Sequence, residues 1–470
     1  MKIEQLYTGC LAEAAYYIAS EGEAVIIDPL RETDPYIERL QADQAELKYV
    51  LETHFHADFV SGHLDLAKKT GATIVYGPTA QPNFKAHVAT DGEILKVGKL
   101  TLKVLHTPGH TMESTTYLLK DEQGKDVAIF TGDTLFLGDV GRPDLAQKGA
   151  ELTLEDLAGY LYDSLRNKIM PLADEVIVYP GHGAGSACGK KMSKETQGTL
   201  GDQKKYNYAL RADMTKAEFI QEVTTGLVEP PQYFPKNAVM NKMGYDSIDE
   251  VRDRGLQPLS VRAFLAAWEG TDALVLDARH EGDFAKGFIP GSINIGIDGS
   301  FAPWVGALIT DHKQPILLVT PIGRETEVVT RLARVGYDHA IGYLDGGFES
   351  WKATGEEVET MQELTPAQLA KNYQPGTINL IDVRKESEYR SEHIVGAENY
   401  PLDFINRLIE HFDKNKTYFL YCGGGYRSST FASIMKARGY RNMVNIPGGY
   451  NALSLTNLPR TEYQEQKTEL

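Results

Sequence analysis

Cysteine is scarce in this chain: Cys10, Cys188 and Cys422 are the only three among 470 residues. An odd, sparse set cannot build a disulfide framework. It fits a reducing compartment and leaves thiols available for chemistry. Long apolar runs are missing, since no stretch approaches the roughly 20 residues that a membrane-spanning helix needs. The first residues, Met1-Lys2-Ile3-Glu4-Gln5, lack a basic region followed by an apolar core, so no secretory signal is expected. Positive charge is the minority, with 48 Lys and Arg against 65 Asp and Glu and a formal net charge of −17. Such a surface is repelled by nucleic acid and by anionic membranes. The expectation is a well-solvated cytoplasmic protein with neither nucleic acid nor membrane as partner.

What is present is an ordinary apolar fraction, 42%, and enough length for two to four domains. Short β-branched runs alternate with helical stretches in the first half. Ala24–Asp28, Lys48–Glu52, Ala72–Tyr76, Leu100–Leu105, Val127–Phe130 and Glu175–Tyr179 read as strands. His54 and His56 follow one of these runs, His110, Asp133 and His182 three others. Ligand-type residues on loops at strand ends can converge on one edge of a sheet sandwich. Thr215-Lys216-Ala217-Glu218 predicts a capping box and an amphipathic helix that Glu229-Pro230-Pro231 ends. The remainder repeats itself. Leu274–Arg279 matches Leu380–Arg384, Ile289, Gly291 and Asn294 match Ile394, Gly396 and Asn399, and Asp345–Phe348 matches Pro447–Tyr450. A period near 100 residues suits two tandem α/β domains rather than a solenoid.

The stretch Thr53-His54-Phe55-His56-Ala57-Asp58-Phe59 resembles the His-x-His-x-Asp-His motif of the metallo-β-lactamase superfamily, with Phe59 where the last histidine would stand. An imidazole ligates a metal and a phenyl ring does not, so the change points away from a two-metal hydrolase. With Thr107–Thr111, Thr131–Thr134, Gly141–Asp144 and Tyr179–His182, residues 1–240 resemble persulfide dioxygenases, a mononuclear iron branch of that superfamily. The resemblance implies His54, His110 and Asp133 as ligands of one Fe(II). Two imidazoles and a carboxylate form a facial triad with open positions. His56, Asp58 and His182 would then orient a ligand, water or substrate by hydrogen bonding. Arg142, which the family places near the carboxylates of the thiol carrier, is equally well read as a loop salt bridge with Asp144. Cys188 follows His182 closely and is read as a reactive thiol, its pKa lowered by Lys190. A small buried residue in a tight loop is the plain alternative.

Tyr418–Tyr421 reads as a buried strand that runs into Cys422-Gly423-Gly424-Gly425-Tyr426-Arg427-Ser428 and then a helix through Met435. Backbone N–H groups turned inward at a helix start stabilise an anion such as a thiolate. Arg427 adds positive charge and Ser428 a donor. The loop resembles that of rhodaneses, supported by Ile381–Arg384 and Glu392–Ala397. That likeness implies Cys422 as carrier of a sulfane sulfur, with Gly423, Gly424, Gly425, Tyr426 and Ser428 around it. The first copy has Thr320 at the cysteine position, and a hydroxyl cannot hold a persulfide, so this copy is expected to be inactive.

The fold expected is α/β: an αββα metallo-β-lactamase sandwich over residues 1–245, an inactive rhodanese-like domain over 246–358 and an active one over 359–470, both with parallel sheets. The expected function is oxidation of a small-molecule persulfide, such as glutathione persulfide, by O2 to sulfite and thiol, coupled to a sulfurtransferase that makes or uses thiosulfate. A homo-oligomer is a further implication of the resemblance. Two other readings stay open. One is a zinc-dependent thioester hydrolase of the glyoxalase II type; the other is a non-catalytic persulfide sensor or carrier.

Overall fold

The computed structural model describes residues 1–145 and 152–464. Contacts divide the described residues into two compact units, one over Met1–Ile248 with Ala333–Gly336 and one over Asp249–Leu332 and from Tyr337 onward.

The first unit holds two six-stranded sheets. One takes Lys2–Thr8, Glu13–Ser20, Glu23–Ile27, Glu46–Leu51, Thr73–Tyr76 and His87–Val88 in chain order. The other runs Gly198–Thr199, Ile177–Pro180, Asp126–Gly132, Thr115–Lys120, Leu100–His106 and Ile94–Val97. Side-chain alternation explains how the sheets pack. Tyr16, Ile18, Val25 and Ile27 point inward and meet Leu102, Val104, Tyr117 and Phe130 of the other sheet. Ala15, Tyr17, Ala24 and Ile26 point outward, where Tyr36 and Leu40 of helix Asp34–Ala42 and Leu66 of helix His63–Thr70 cover them. Helices Leu154–Ser164 and Lys216–Thr224 cover the second sheet through Leu161, Phe219 and Val223. Four layers result, helix–sheet–sheet–helix, as the sequence predicts.

All six sequence-predicted strands are found, within a residue or two at their ends. The capping box at Thr215 is formed with Glu218, but the helix stops at Thr224, before Glu229. Register brings the loops together. Val25 pairs with Tyr49 and Ile27 with Leu51 in parallel, so Asp28 and Glu52 leave the sheet side by side. Phe130 pairs with Tyr179 in parallel, so Asp133 and His182 do the same from the second sheet.

The second unit contains two five-stranded sheets of one topology, every paired strand parallel. The first is ordered Pro258–Leu259, Ala340–Leu344, Ile316–Val319, Leu274–Asp277, Ile293–Asn294. The second is ordered Gln362–Glu363, Met443–Asn445, Tyr418–Tyr421, Asn379–Asp382, Glu398–Asn399. The same strand order in both is the structural form of the sequence repeat. The apolar runs Ile316–Val319 and Tyr418–Tyr421 are central strands with helices on both sides. Thr320 and Cys422 sit just beyond their C-terminal ends. Among the described residues no helix is long and apolar enough to cross a membrane.

Candidate metal centre and thiol cradle

The histidines and carboxylates at the strand ends converge. His54, His110 and Asp133 are all buried, and their ligand atoms lie within 4.8 Å of one another. Asp133 Oδ2 is 3.4 Å from His110 Nε2 and 4.0 Å from His54 Nε2. Each residue presents a free lone pair to this point. His110 donates from Nδ1 to the carbonyl of Arg142 at 2.8 Å, leaving Nε2 bare. His54 Nδ1 lies 3.0 Å from Thr53 Oγ1, whose hydroxyl donates to Asp28 at 2.8 Å. Asp133 accepts from His182 Nδ1 through Oδ1 at 2.8 Å, while Oδ2 is buried without a hydrogen-bond partner. Burial, with His56 nearby, holds His54 well below the usual histidine range and therefore neutral. Burial opposes ionisation of Asp133, but the surrounding histidines outweigh it and push its pKa far down. Two imidazole nitrogens and one bare carboxylate oxygen are a donor set that fits a divalent metal.

The residues behind the ligands form two ionic groups. His182 donates from Nδ1 to Asp133 and from Nε2 to Asp58, both at 2.8 Å. Burial disfavours its charge, yet the two carboxylates raise its pKa well above normal. His182 is thus an imidazolium that fixes the rotamer of Asp133. His56 faces away from the ligand cluster. Its Nε2 lies 3.0 Å from Asp28 and 3.2 Å from Glu52, and Phe59 packs on its ring at 4.3 Å between centroids. The completely buried phenyl ring fills its space with hydrocarbon. Gly132 lets the Asp133 loop pass close to Thr53: φ is +48° there, and a Cβ would come within 2.4 Å of Thr53 Oγ1.

In the second unit Cys422 is buried at the centre of its loop. The N–H of Gly425 donates to Cys422 Sγ at 3.1 Å, and Ser428 Oγ lies 3.6 Å from the sulfur. Gly425 adopts φ +115°, which turns its N–H inward. The loop is fastened from behind, because Tyr450 N donates to the Cys422 carbonyl at 2.6 Å and Asn451 N to that of Gly423 at 3.0 Å. A Cβ on Gly449 would lie 2.3 Å from the Cys422 carbonyl, so only glycine permits this approach. Arg427 donates two bonds to Glu388, at 2.6 and 2.8 Å.

Residues 8–182 match the Metallo-beta-lactamase superfamily, and residues 260–354 and 365–456 match the Rhodanese-like domain. Hydroxyacylglutathione hydrolase GloC of Haemophilus influenzae is 32% identical over 193 residues, covering 36% of this chain and 85% of that protein. The chain belongs to the metallo-beta-lactamase superfamily. A solved metallo-beta-lactamase from Staphylococcus aureus subsp. aureus COL is 32% identical, covers 73% of this chain and 98% of that chain, and superposes with a TM-score of 0.64. ETHE1 from Myxococcus xanthus is 31% identical over 52% of this chain and 98% of that chain, with a TM-score of 0.44. The superfamily fold thus accounts for the metal-type cluster, and the two rhodanese-like domains account for the repeat.

Several sequence expectations need correction. Arg142 does not reach out toward a carrier. Its guanidinium is buried, paired twice with Asp144 at 2.6 and 2.7 Å and donating to the carbonyls of Ala187 and Val228. Its contribution to the metal site is its own carbonyl, which orients His110. Cys188 does lie with Asp58 and His182 in a second buried cluster. Its thiol pKa is raised rather than lowered, first by burial and then by the Asp133 and Asp58 charges. Lys190 gives it no help, since its ammonium binds the carbonyls of Glu222 and Thr225. Tyr426 spends its hydroxyl on the Gly296 carbonyl at 2.8 Å, so its side chain is structural. His56 turns its Nε2 to Asp28 and Glu52 rather than to open space, and its ring packs beside that of His54 at 4.2 Å.

Sequence reasoning missed Asn241. Its buried amide donates to the carbonyls of His56 and Phe59, both at 2.8 Å, and accepts from Ser61 N at 2.9 Å. It also missed Glu13, a buried carboxyl with no hydrogen-bond partner among the described residues, whose pKa burial pushes well up. Asp28 had a readable signal, an acid directly after the apolar run Ala24–Ile27; an asparagine within a helix has none.

Proposed function

We propose that the first unit is a non-haem Fe(II) persulfide dioxygenase and that Cys422 is the nucleophile of a sulfurtransferase. The observation that carries the first part is Phe59. It occupies the place of a further histidine ligand, fully buried against His56, and His56 itself turns to Asp28 and Glu52. Among the buried metal-type clusters, His54, His110 and Asp133 form the two-histidine, one-carboxylate set typical of mononuclear iron oxygenases. Bound there, Fe(II) would supply redox chemistry with dioxygen. The balanced reaction is a persulfide RSSH plus O2 and water giving RSH, sulfite and two protons. The chain's own part is orientation. The Arg142 carbonyl holds His110, His182 holds Asp133, and Asn241 clamps the His56–Ser61 loop.

At Cys422, a thiolate attacking the outer sulfur of thiosulfate would form a cysteine persulfide. The sulfur–sulfonate bond breaks and sulfite leaves with the electron pair. The reverse step would trap sulfite as thiosulfate, so one chain can both produce sulfite and use it. Glutathione is the carrier thiol proposed, and the reducing cytoplasm suggested by the sparse cysteines is the proposed setting.

The direct test loads the protein anaerobically with Fe(II), adds glutathione persulfide and follows oxygen uptake with sulfite and thiosulfate. Uptake that His110→Ala and Asp133→Ala abolish is expected. Cys422→Ser should remove thiosulfate exchange while uptake continues, and loss of both would refute separable sites. The names of the GloC-like relatives favour a second reading, a zinc-dependent thioester hydrolase. Absence of uptake together with zinc-dependent thioester hydrolysis would select it.

A further inference from the structure

The two rhodanese copies provide an internal comparison of what surrounds the nucleophile. Aligned on their loops, Thr320 stands for Cys422, Glu325 for Arg427 and Thr326 for Ser428. Aligned on the Asp277 and Asp382 strands, Asp283 stands for Glu388. In the first copy the side chain five residues after the nucleophile position turns into the cradle. Glu325 accepts from the N–H of Gly323 at 3.0 Å and lies 3.4 Å from Thr320 Oγ1. Its counterpart in the acidic pair, Asp283, is turned to solvent beside Lys286. In the second copy the corresponding N–H, of Gly425, reaches Cys422 Sγ. The side chain five residues on, Arg427, is held away by both oxygens of Glu388. Glu388 is itself anchored, because its Oε2 also accepts from Lys385 N at the start of helix Glu386–Ser391. The guanidinium stays beside the loop, with Nη2 3.2 Å from where a Cβ of Gly423 would be.

We propose that Glu388 is a positioning residue for sulfur transfer at Cys422. It fixes the Arg427 guanidinium at the rim of the cradle, so that the N–H groups it does not spend on Glu388 stay in one orientation. This rests on reading Cys422 as a sulfurtransferase nucleophile. The substrate is then an oxyanion with a terminal sulfur, such as thiosulfate. The outer sulfur enters the cradle, and the sulfonate meets the guanidinium at the rim. A planar fork held in place loses less freedom on binding than a swinging one, and its alignment matters most where charge shifts to the departing sulfite. Glu388 also cancels part of the positive charge at the rim. Its removal therefore separates binding from turnover: a freed, fully positive Arg427 still attracts a dianion but no longer in the productive pose.

The test is a double-mutant cycle in the full-length chain, with thiosulfate as donor and cyanide as acceptor. Glu388→Ala is expected to lower kcat by about a hundredfold, with KM for thiosulfate unchanged or lower. In the Arg427→Ala background, Glu388→Ala should cost nothing further, because a residue acting through another is non-additive with it. Glu388→Gln, which keeps an oxygen for Lys385 N, should recover part of kcat and melt like wild type. Additive losses, a raised KM with kcat intact, or a Glu388→Ala chain as fast as wild type would overturn the proposal. A wild-type chain that transfers no sulfur would instead overturn the reading of Cys422 itself.

Discussion

Asn241 offers the sharpest check on how the metal loop is held. It lies in helix Phe234–Met243, far along the chain from the ligands, and contributes no metal-binding atom. Yet it makes three buried hydrogen bonds to the backbone of His56, Phe59 and Ser61. Asn241→Ala removes all three. The two carbonyls each lose about 1 kcal/mol, and the Ser61 N–H, left buried without an acceptor, costs about 1–3 kcal/mol, roughly 3–5 kcal/mol together. Part of this is recovered whenever the loop orders around an ion, and that part is charged against metal affinity. If about 2 kcal/mol falls there, the dissociation constant rises roughly thirtyfold. Asn241→Asp separates the contributions. It keeps the acceptor for Ser61 N but turns a carboxylate toward two carbonyls, so its loss should equal or exceed that of alanine. Chelator competition measures the metal affinity, and denaturant unfolding of the metal-free chain measures the stability. An Asn241→Ala chain that binds metal within about threefold of wild type and unfolds at the same denaturant concentration would refute the clamp.

Other expectations follow from the same geometry. His182→Gln removes the imidazolium between Asp58 and Asp133 and should weaken metal binding by about 10–100-fold, measured by the same competition. Thr320→Cys alone should yield no sulfurtransferase activity in a Cys422→Ser background, because Glu325 already fills that cradle; measurable turnover would show the cradle to be open. Cys188, whose thiol is pushed upward by burial and by nearby carboxylates, stays protonated around pH 8, where an ordinary thiol is already partly thiolate. Its alkylation in the folded chain, read peptide by peptide by mass spectrometry, should be slow there and accelerate only at more alkaline pH. Rapid labelling at neutral pH would contradict the assignment.

The sequence made the layers legible because apolar alternation and β-branched runs report burial directly, and the six strands that carry the loops were all readable. The ligand cluster was legible for a related reason: histidines and an aspartate that directly follow strands share one sheet edge once the strands pair. What stayed hidden depends on which way a side chain turns. The Arg142–Asp144 salt bridge was one of two readings the residue order allowed, but nothing in it shows that Lys190 caps the Glu222 and Thr225 carbonyls rather than facing Cys188. The pKa of Cys188 was misjudged because a neighbour in sequence was taken as a neighbour in space, while the groups that matter, Asp58 and Asp133, come from distant loops. Asn241 and Glu388 were invisible because their partners are a backbone segment and a guanidinium brought close only by folding.

Tyr426 ties the Cys422 loop to the first rhodanese-like copy. Next to Arg427 in the active loop, it lays its ring where a Cβ on Gly299 would come within 2.5 Å, and its hydroxyl ends on the Gly296 carbonyl. The first copy carries Thr320 and Glu325 where the second carries Cys422 and Arg427. It also serves as a mould for its neighbour. This copy should therefore tolerate substitution around Thr320 and be strict at Gly296 and Gly299, where the Tyr426 side chain packs.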